Sequence, residues 1–294
     1  MTQIDQPGPI TGANMVWHSV DSHFAIAGFI VGALVGVTGL GGGSLMTPIL
    51  VLLFGVSPAT AVGTDLLFAA ATKTVGSFVH GFNKTIEWTV VRRLAAGSLP
   101  AAALTLFALT LLHMSSGGAR SVITAILALA LLLTAGVLIA RDRISARYAE
   151  RLRTLDERSV AVLTTAMGAV LGILVTFSSV GAGAIGVTAL VLLYPRIPMA
   201  RIVGSDIAHA VPLTLVAGVG HGAMGSLDPH ALLSLLVGSF PGIVVGSWVS
   251  SRARDVTLRY ILAGVLIIVG TRLAFDIPGQ GRPDIAAVGI LQSH

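Results

Sequence analysis

Six apolar stretches of membrane-crossing length are spaced along the chain, near 58–80, 94–112, 119–140, 198–221, 231–250 and 257–275. As helix, about 20 residues cover the roughly 30 Å of a bilayer's hydrocarbon. Two longer apolar stretches, 24–54 and 159–194, break the pattern. Through Gly36-Val37-Thr38-Gly39-Leu40-Gly41-Gly42-Gly43 a continuous helix would lose about 1 kcal/mol per glycine relative to alanine, so a helix break is expected there. Thr47-Pro48 reads as the restart, because threonine is a favoured N-cap and proline suits a first helical turn. Gly181-Ala182-Gly183 followed by Thr188 repeats the arrangement. The arm 44–54 would rise only about 16 Å as helix, half a bilayer.

The chain also contains a copy of itself at an offset of 141 residues. Gly63-Thr64-Asp65 returns as Gly204-Ser205-Asp206, His80-Gly81 as His221-Gly222, and Gly97-Ser98-Leu99-Pro100 as Gly238-Ser239-Phe240-Pro241. Duplicated membrane halves are the mark of secondary transporters, with function where the halves meet. The implied organisation is a tail 1–23, a first half 24–140, a linker 141–158, a second half 159–275 and a tail 276–294.

Charge adds orientation. The linker carries Arg141, Arg143, Arg147, Arg151, Arg153 and Arg158 among four carboxylates, which makes it cytoplasmic by the positive-inside rule and predicts a short surface helix against lipid headgroups. Lys84, Arg92 and Arg93 follow the 58–80 span, whereas Arg196 and Arg201 precede its copy. Equivalent loops with opposite bias predict inverted halves, with 1–23 and 55–57 outside and 141–158 and 195–201 inside. Inversion requires 24–54 and 159–194 to enter and leave on one side. A parallel repeat of eight plain spans is the alternative, since 159–178 is long enough to cross alone.

At 54% hydrophobic and 11% charged residues, with a mean hydropathy of +0.89, the chain is too apolar for a soluble domain. The net charge of +5 sits in short loops and does not point to nucleic acid. There is no cysteine, which excludes disulfides and thiolate metal sites. No basic segment precedes the first apolar stretch, as a cleaved signal would require. Histidine spacing suggests no metal site, and nothing calls for a cofactor.

Two helix breaks would aim two half-helix N-termini, with free N–H groups and positive dipole ends, at one point near mid-membrane. Such a site wants a small anion. Thr38, Gly41, Gly42, Gly43, Ser44 and Thr47 would line it from one half, and Thr176, Ser178, Ser179, Gly181, Gly183 and Thr188 from the other. Gly32, Gly36, Gly136 and Gly264 read instead as helix-packing positions. Asp65 and Asp206 are costly inside a membrane; they either cap their own helices or couple transport to an ion or proton. His209, one turn from Asp206, is a candidate relay partner. Lys73 either pairs with Asp65 or Asp206 or presents its ammonium to the anion. His80 and His221, each before a glycine, read as C-terminal helix caps.

Gly39-x-Gly-Gly-Gly43 with Thr47-Pro48, Gly63-Thr64-Asp65, the loop from Gly81 to Ile86-Glu87-Trp88, and the degenerate second copy resemble the sulfite exporter TauE/SafE family. This is also the four-toluene sulfonate, sulfite and sulfoacetate transporter group. The resemblance covers about 24–275 and implies a multi-pass inner-membrane permease for sulfite, a sulfonate or a related sulfur oxyanion, driven by an ion gradient. Lys73 stands where such proteins commonly have a small or hydrophobic residue. The expectation is an all-α polytopic membrane protein acting as a secondary transporter of a small anion. An anion channel or an accessory subunit is the alternative. An intramembrane enzyme is further off, since no nucleophile with a positioned base emerges.

Overall fold

A computed structural model describes residues 20–38, 43–115, 119–153, 155–181, 183–249 and 255–275. It is helical throughout these residues: α1 Ser22–Thr38, α2 Gly43–Leu52, α3 Pro58–Phe82, α4 Trp88–Ser115, α5 Ala119–Arg153, α6 Glu157–Ser178, α7 Ala184–Leu193, α8 Met199–Ala223, α9 Pro229–Val249 and α10 Asp255–Phe275. Five segments are long and apolar enough to cross a membrane: Trp88–Leu111, Thr124–Arg143, Glu157–Ser178, Met199–Ala223 and Pro229–Gly246. Exposed Leu104, Phe107 and Leu111 share one face of α4, which in a membrane faces lipid. The polytopic all-α expectation therefore holds; of the two tails, 1–19 and 276–294 lie outside the described residues, and the first helix already begins at Ser22.

The 141-residue offset reappears in the helices. α2 and α7 begin and end at equivalent positions, as do α3 and α8. Gly63, early in α3, faces the Ser226 carbonyl and His221 beyond and at the end of α8, while Gly204, early in α8, faces the Thr85 carbonyl and His80. The α3 and α8 helices therefore run antiparallel, and each contact has its counterpart 141 residues away.

The outer pairs exchange partners between halves: α1 lies along α9, and α4 along α6. A carbon on Gly28 would lie 2.1 Å from the Leu235 carbonyl oxygen, and one on Gly168 would lie 2.2 Å from that of Leu94. Only backbone meets backbone there, the close approach by which helices associate when lipid removes the hydrophobic drive. Gly32 packs likewise against Ser239, but Gly136 and Gly264 have nothing nearby, so these two are not packing positions.

Each broken stretch folds back toward its starting end. The rings of Phe24 and Phe54, at the outer ends of α1 and α2, stack with centroids 4.4 Å apart. In the second half Tyr194, just past α7, bonds Thr164 of α6 at 2.8 Å, and Arg93 reaches both Tyr194 and Glu157. A 10-residue α7 climbs only about 15 Å before its partner's start is reached again.

Three boundaries differ from expectation. The linker begins as a continuation of α5, which runs unbroken to Arg153, because nothing from Leu138 to Arg153 is a helix breaker. Asp156 then caps α6, accepting from the Ser159 amide and hydroxyl, bonds that hold its carboxyl below the ordinary carboxylate range. Thr47 and Pro48 do not start α2, which begins at Gly43 and encloses Pro48. α7 likewise starts at Ala184 and not near Thr188. The reason lies across the helix packing, in Asp65.

Candidate functional site

The Gly-Thr/Ser-Asp motif is a three-part joint, and each part follows from side-chain size and chemistry. Its glycine leaves room for the loop of the opposite half: a carbon on Gly63 would sit 1.8 Å from the Ser226 carbonyl oxygen, and one on Gly204 would sit 2.3 Å from that of Thr85. Its hydroxyl accepts an amide of that same loop. Asp228 N–H donates to Thr64 Oγ1 at 3.0 Å, and Glu87 N–H donates to Ser205 Oγ at 2.8 Å. The carboxylate turns inward to a half-helix.

Asp65 is wholly buried and accepts both the Thr47 amide at 3.0 Å and the Thr47 hydroxyl at 2.5 Å. It caps, but it caps α2 and not its own helix. With Pro48 lacking an N–H, the first turn of α2 is held from outside, which is why the helix can begin four residues earlier than the Thr-Pro signal suggests. The Ser179 hydroxyl lies beside the Asp65 carboxylate, although neither Asp65 Oδ1 nor that hydroxyl closes a hydrogen bond among the described residues.

Asp206, 2% exposed, meets the other half-helix. A carbon on Gly186, in the first turn of α7, would lie 2.3 Å from Asp206 Oδ1, and that oxygen has no hydrogen-bond partner. Lys73 from α3 is 6% exposed. Its ammonium interacts electrostatically with Asp206 and, more weakly, with Asp65, without a closed ion pair among the described residues. Thr214, its equivalent, bonds the Ala210 and Val211 carbonyls of its own helix. The cation thus breaks the symmetry of the cluster.

His209 is fully buried and its Nε2 lies 2.8 Å from Ser98 Oγ on α4; its ring is tied to Ser98 and not to Asp206. The equivalent of His209 is Phe68, and Ser239, the equivalent of Ser98, has an unpartnered hydroxyl. His221 also departs from the expected cap of its own helix. Its Nε2 donates to the Thr176 carbonyl at 2.9 Å, satisfying an orphan acceptor at the end of α6. His80 ties down its own loop through Thr85, at 2.8 Å from Nδ1.

The second helix break is the one described. Ser179 closes α6 in the left-handed region at φ 57, Gly181 continues at φ 117, and Ser178 Oγ bonds the Leu174 and Val180 carbonyls. Gly183 precedes α7 directly, and Thr188 is buried within it. In the first half Gly41 and Gly42 lie outside the described residues, while Thr38 ends α1 and Gly43 and Ser44 open α2. Near their starts, α2 meets Asp65 through Thr47 and α7 meets Asp206 through Gly186, and Lys73 interacts with both carboxylates. Gly186 and Ser98 were not singled out in the sequence: Gly186 has no glycine at its repeat position, Leu45, and Ser98 gains meaning only through His209. Among the described residues no cluster could hold a metal ion.

An all-helical, multi-pass protein with half-helices converging on buried charge has the architecture of a membrane transporter. Residues 24–273 match the family described as Sulfite exporter TauE/SafE, and the chain belongs to that family. It is 36% identical over 249 residues, 84% of this chain and 97% of the relative, to the "Probable membrane transporter protein YjnA" of Bacillus subtilis. It is 27% identical over 253 residues, again 84% and 97%, to the "Probable membrane transporter protein YdhB" of the same organism. A "Probable membrane transporter protein" of Xylella fastidiosa is 25% identical over 228 residues, 77% of this chain and 83% of its own. These are membrane transporters by name, not enzymes. No solved structure gives a significant match.

Proposed function

We propose that the chain is a permease of the cytoplasmic membrane that carries sulfite, a sulfonate or a related small sulfur oxyanion. The observation that carries this reading is the Lys73 ammonium, buried where two half-helices begin and engaged in no closed ion pair. A buried cation without a salt-bridged partner is costly, and an arriving anion supplies the missing partner. Backbone N–H groups at the starts of α2 and α7 and the hydroxyl of Ser179 add neutral donors suited to sulfur–oxygen groups. Gly181 and Gly183 shape the break before α7.

The halves 24–140 and 159–275 would rock about the antiparallel α3/α8 contact to expose the site to each side in turn, with one of Asp65, Asp206 and His209 providing the coupling. Uptake into proteoliposomes against a panel of sulfite, thiosulfate, sulfate, taurine, sulfoacetate and simple carboxylates tests it. Saturable uptake of a sulfur oxyanion with counterflow is expected. Uptake of carboxylates alone would overturn the substrate class, and unsaturable flux without counterflow would make the protein a channel.

A further inference from the structure

Asp65 and Asp206 occupy equivalent positions, yet their surroundings differ in a way that assigns them different work. Asp65 spends one oxygen on two donors of Thr47. Asp206 has no such anchor; its Oδ1 stands against the first turn of α7 at Gly186, and its electrostatic partner is Lys73. The carboxylate therefore sits where an anion bound to this half-helix and to this ammonium would have to sit.

Charge accounting leads further. Two carboxylates are balanced by one ammonium and by the N-termini of α2 and α7, each equivalent to about half a positive charge. The buried cluster is then close to neutral. Adding a monoanion leaves one negative charge uncompensated away from water, which is prohibitive unless a proton arrives with it. The Asp65 carboxylate is held in place as an acceptor of two hydrogen bonds. Asp206 loses Lys73 and the half-helix to the newcomer, so the proton goes there.

We propose that Asp206 is a tethered stand-in for the transported anion: it stands beside the first turn of α7 with Lys73 as its electrostatic partner until a sulfur oxyanion replaces it, and it takes up one proton as it is displaced. This rests on the anion-permease reading and adds to it the identity of the coupling group and the stoichiometry, one proton per monoanion moved in the same direction. The groups around Asp206 are Lys73 from α3, with Asp65 further along that helix, and His209 on α8 itself. From α7 comes the uncharged Gly186, with Leu171 of α6 behind it, while Ser98 of α4 lies against His209. His209 faces Ser98, so Asp206 is the carboxylate left to titrate.

Calorimetric binding of methanesulfonate to the detergent-purified full chain tests this, with ethanesulfonate in its place if the wild type holds that anion more tightly. Both stay ionised across the neutral range, so any pH dependence belongs to the protein. Wild-type affinity should fall about tenfold per pH unit toward alkaline pH, and in weakly buffered solution binding of methanesulfonate should take up one proton. Asp206→Asn should bind at least about tenfold more tightly at the alkaline end and lose the slope, while Asp65→Asn keeps it. Should Asp206→Asn fail to fold, Asp206→Glu must shift the midpoint of the slope; an unshifted midpoint overturns the proposal. Wild-type binding without pH dependence or proton uptake overturns it as well, as does a slope that survives Asp206→Asn. If neither anion binds the wild type at any pH, it is the anion-permease reading that falls.

Discussion

Asp65 receives the Thr47 amide at 3.0 Å and the Thr47 hydroxyl at 2.5 Å across 18 positions of sequence, so a residue of the third helix serves as the N-terminal cap of the second. The half-helix α2 is thereby locked to α3, the helix that packs against the opposite half. Any motion of α3 must carry the start of α2 with it, which links that half-helix to the packing of α3 on the opposite half.

Replacing that carboxylate should be expensive. Asp65→Ala leaves two buried donors unpaired, at about 1–3 kcal/mol each, and should lower the unfolding temperature in detergent strongly; Thr47→Val, which removes only the hydroxyl, should cost about 1 kcal/mol. Equal stability of Asp65→Ala and wild type would show that Asp65 does not hold α2.

The two motif glycines and Gly136 make a matched comparison. A carbon on Gly63 would collide with the Ser226 carbonyl, whereas one on Gly136 meets nothing within 4 Å. Gly63→Ala and Gly204→Ala should each cost about 2 kcal/mol or more, as overpacking does. Gly136→Ala should be neutral or stabilising by up to about 1 kcal/mol, the helix propensity difference. Thermal unfolding of the three variants decides it.

Orientation in the membrane follows from the antiparallel α3 and α8. Single cysteines at exposed Ser57 and Arg196, which precede these two helices, should react with an impermeant thiol reagent from opposite faces of the membrane. The chain has no cysteine of its own, so the background is clean. Reaction of both from one face would remove the inverted arrangement.

Lys73 faces Asp206 more strongly than Asp65, and this ranks the double variants. Lys73→Met should lose anion affinity by tenfold or more, in line with the roughly 1.5–3 kcal/mol of a charge-assisted hydrogen bond, and should lose stability because Asp206 is left without its counter-charge. Adding Asp206→Asn should restore stability but not affinity; adding Asp65→Asn should restore neither. Wild-type affinity in Lys73→Met would take Lys73 out of the site.

The sequence by itself determined that this chain lives in a membrane, that it is built as two copies, and that glycine interrupts one long segment in each. Hydrocarbon admits only helices, and glycine weakens a helix wherever it sits, so these features depend on local composition alone. The motif residues were equally visible, but not their partners. Local preference made Thr47 a cap, His221 a cap of its own helix and Asp65 a cap of α3. Tertiary packing gave Thr47 to Asp65, His221 to the end of α6 and Thr64 to Asp228 of the other half. A buried donor or acceptor must be satisfied by whatever the fold brings within reach, and in this fold that is a residue of another helix. The pairing of Lys73 with Asp206, 133 positions away, could be settled only by the antiparallel packing of α3 on α8.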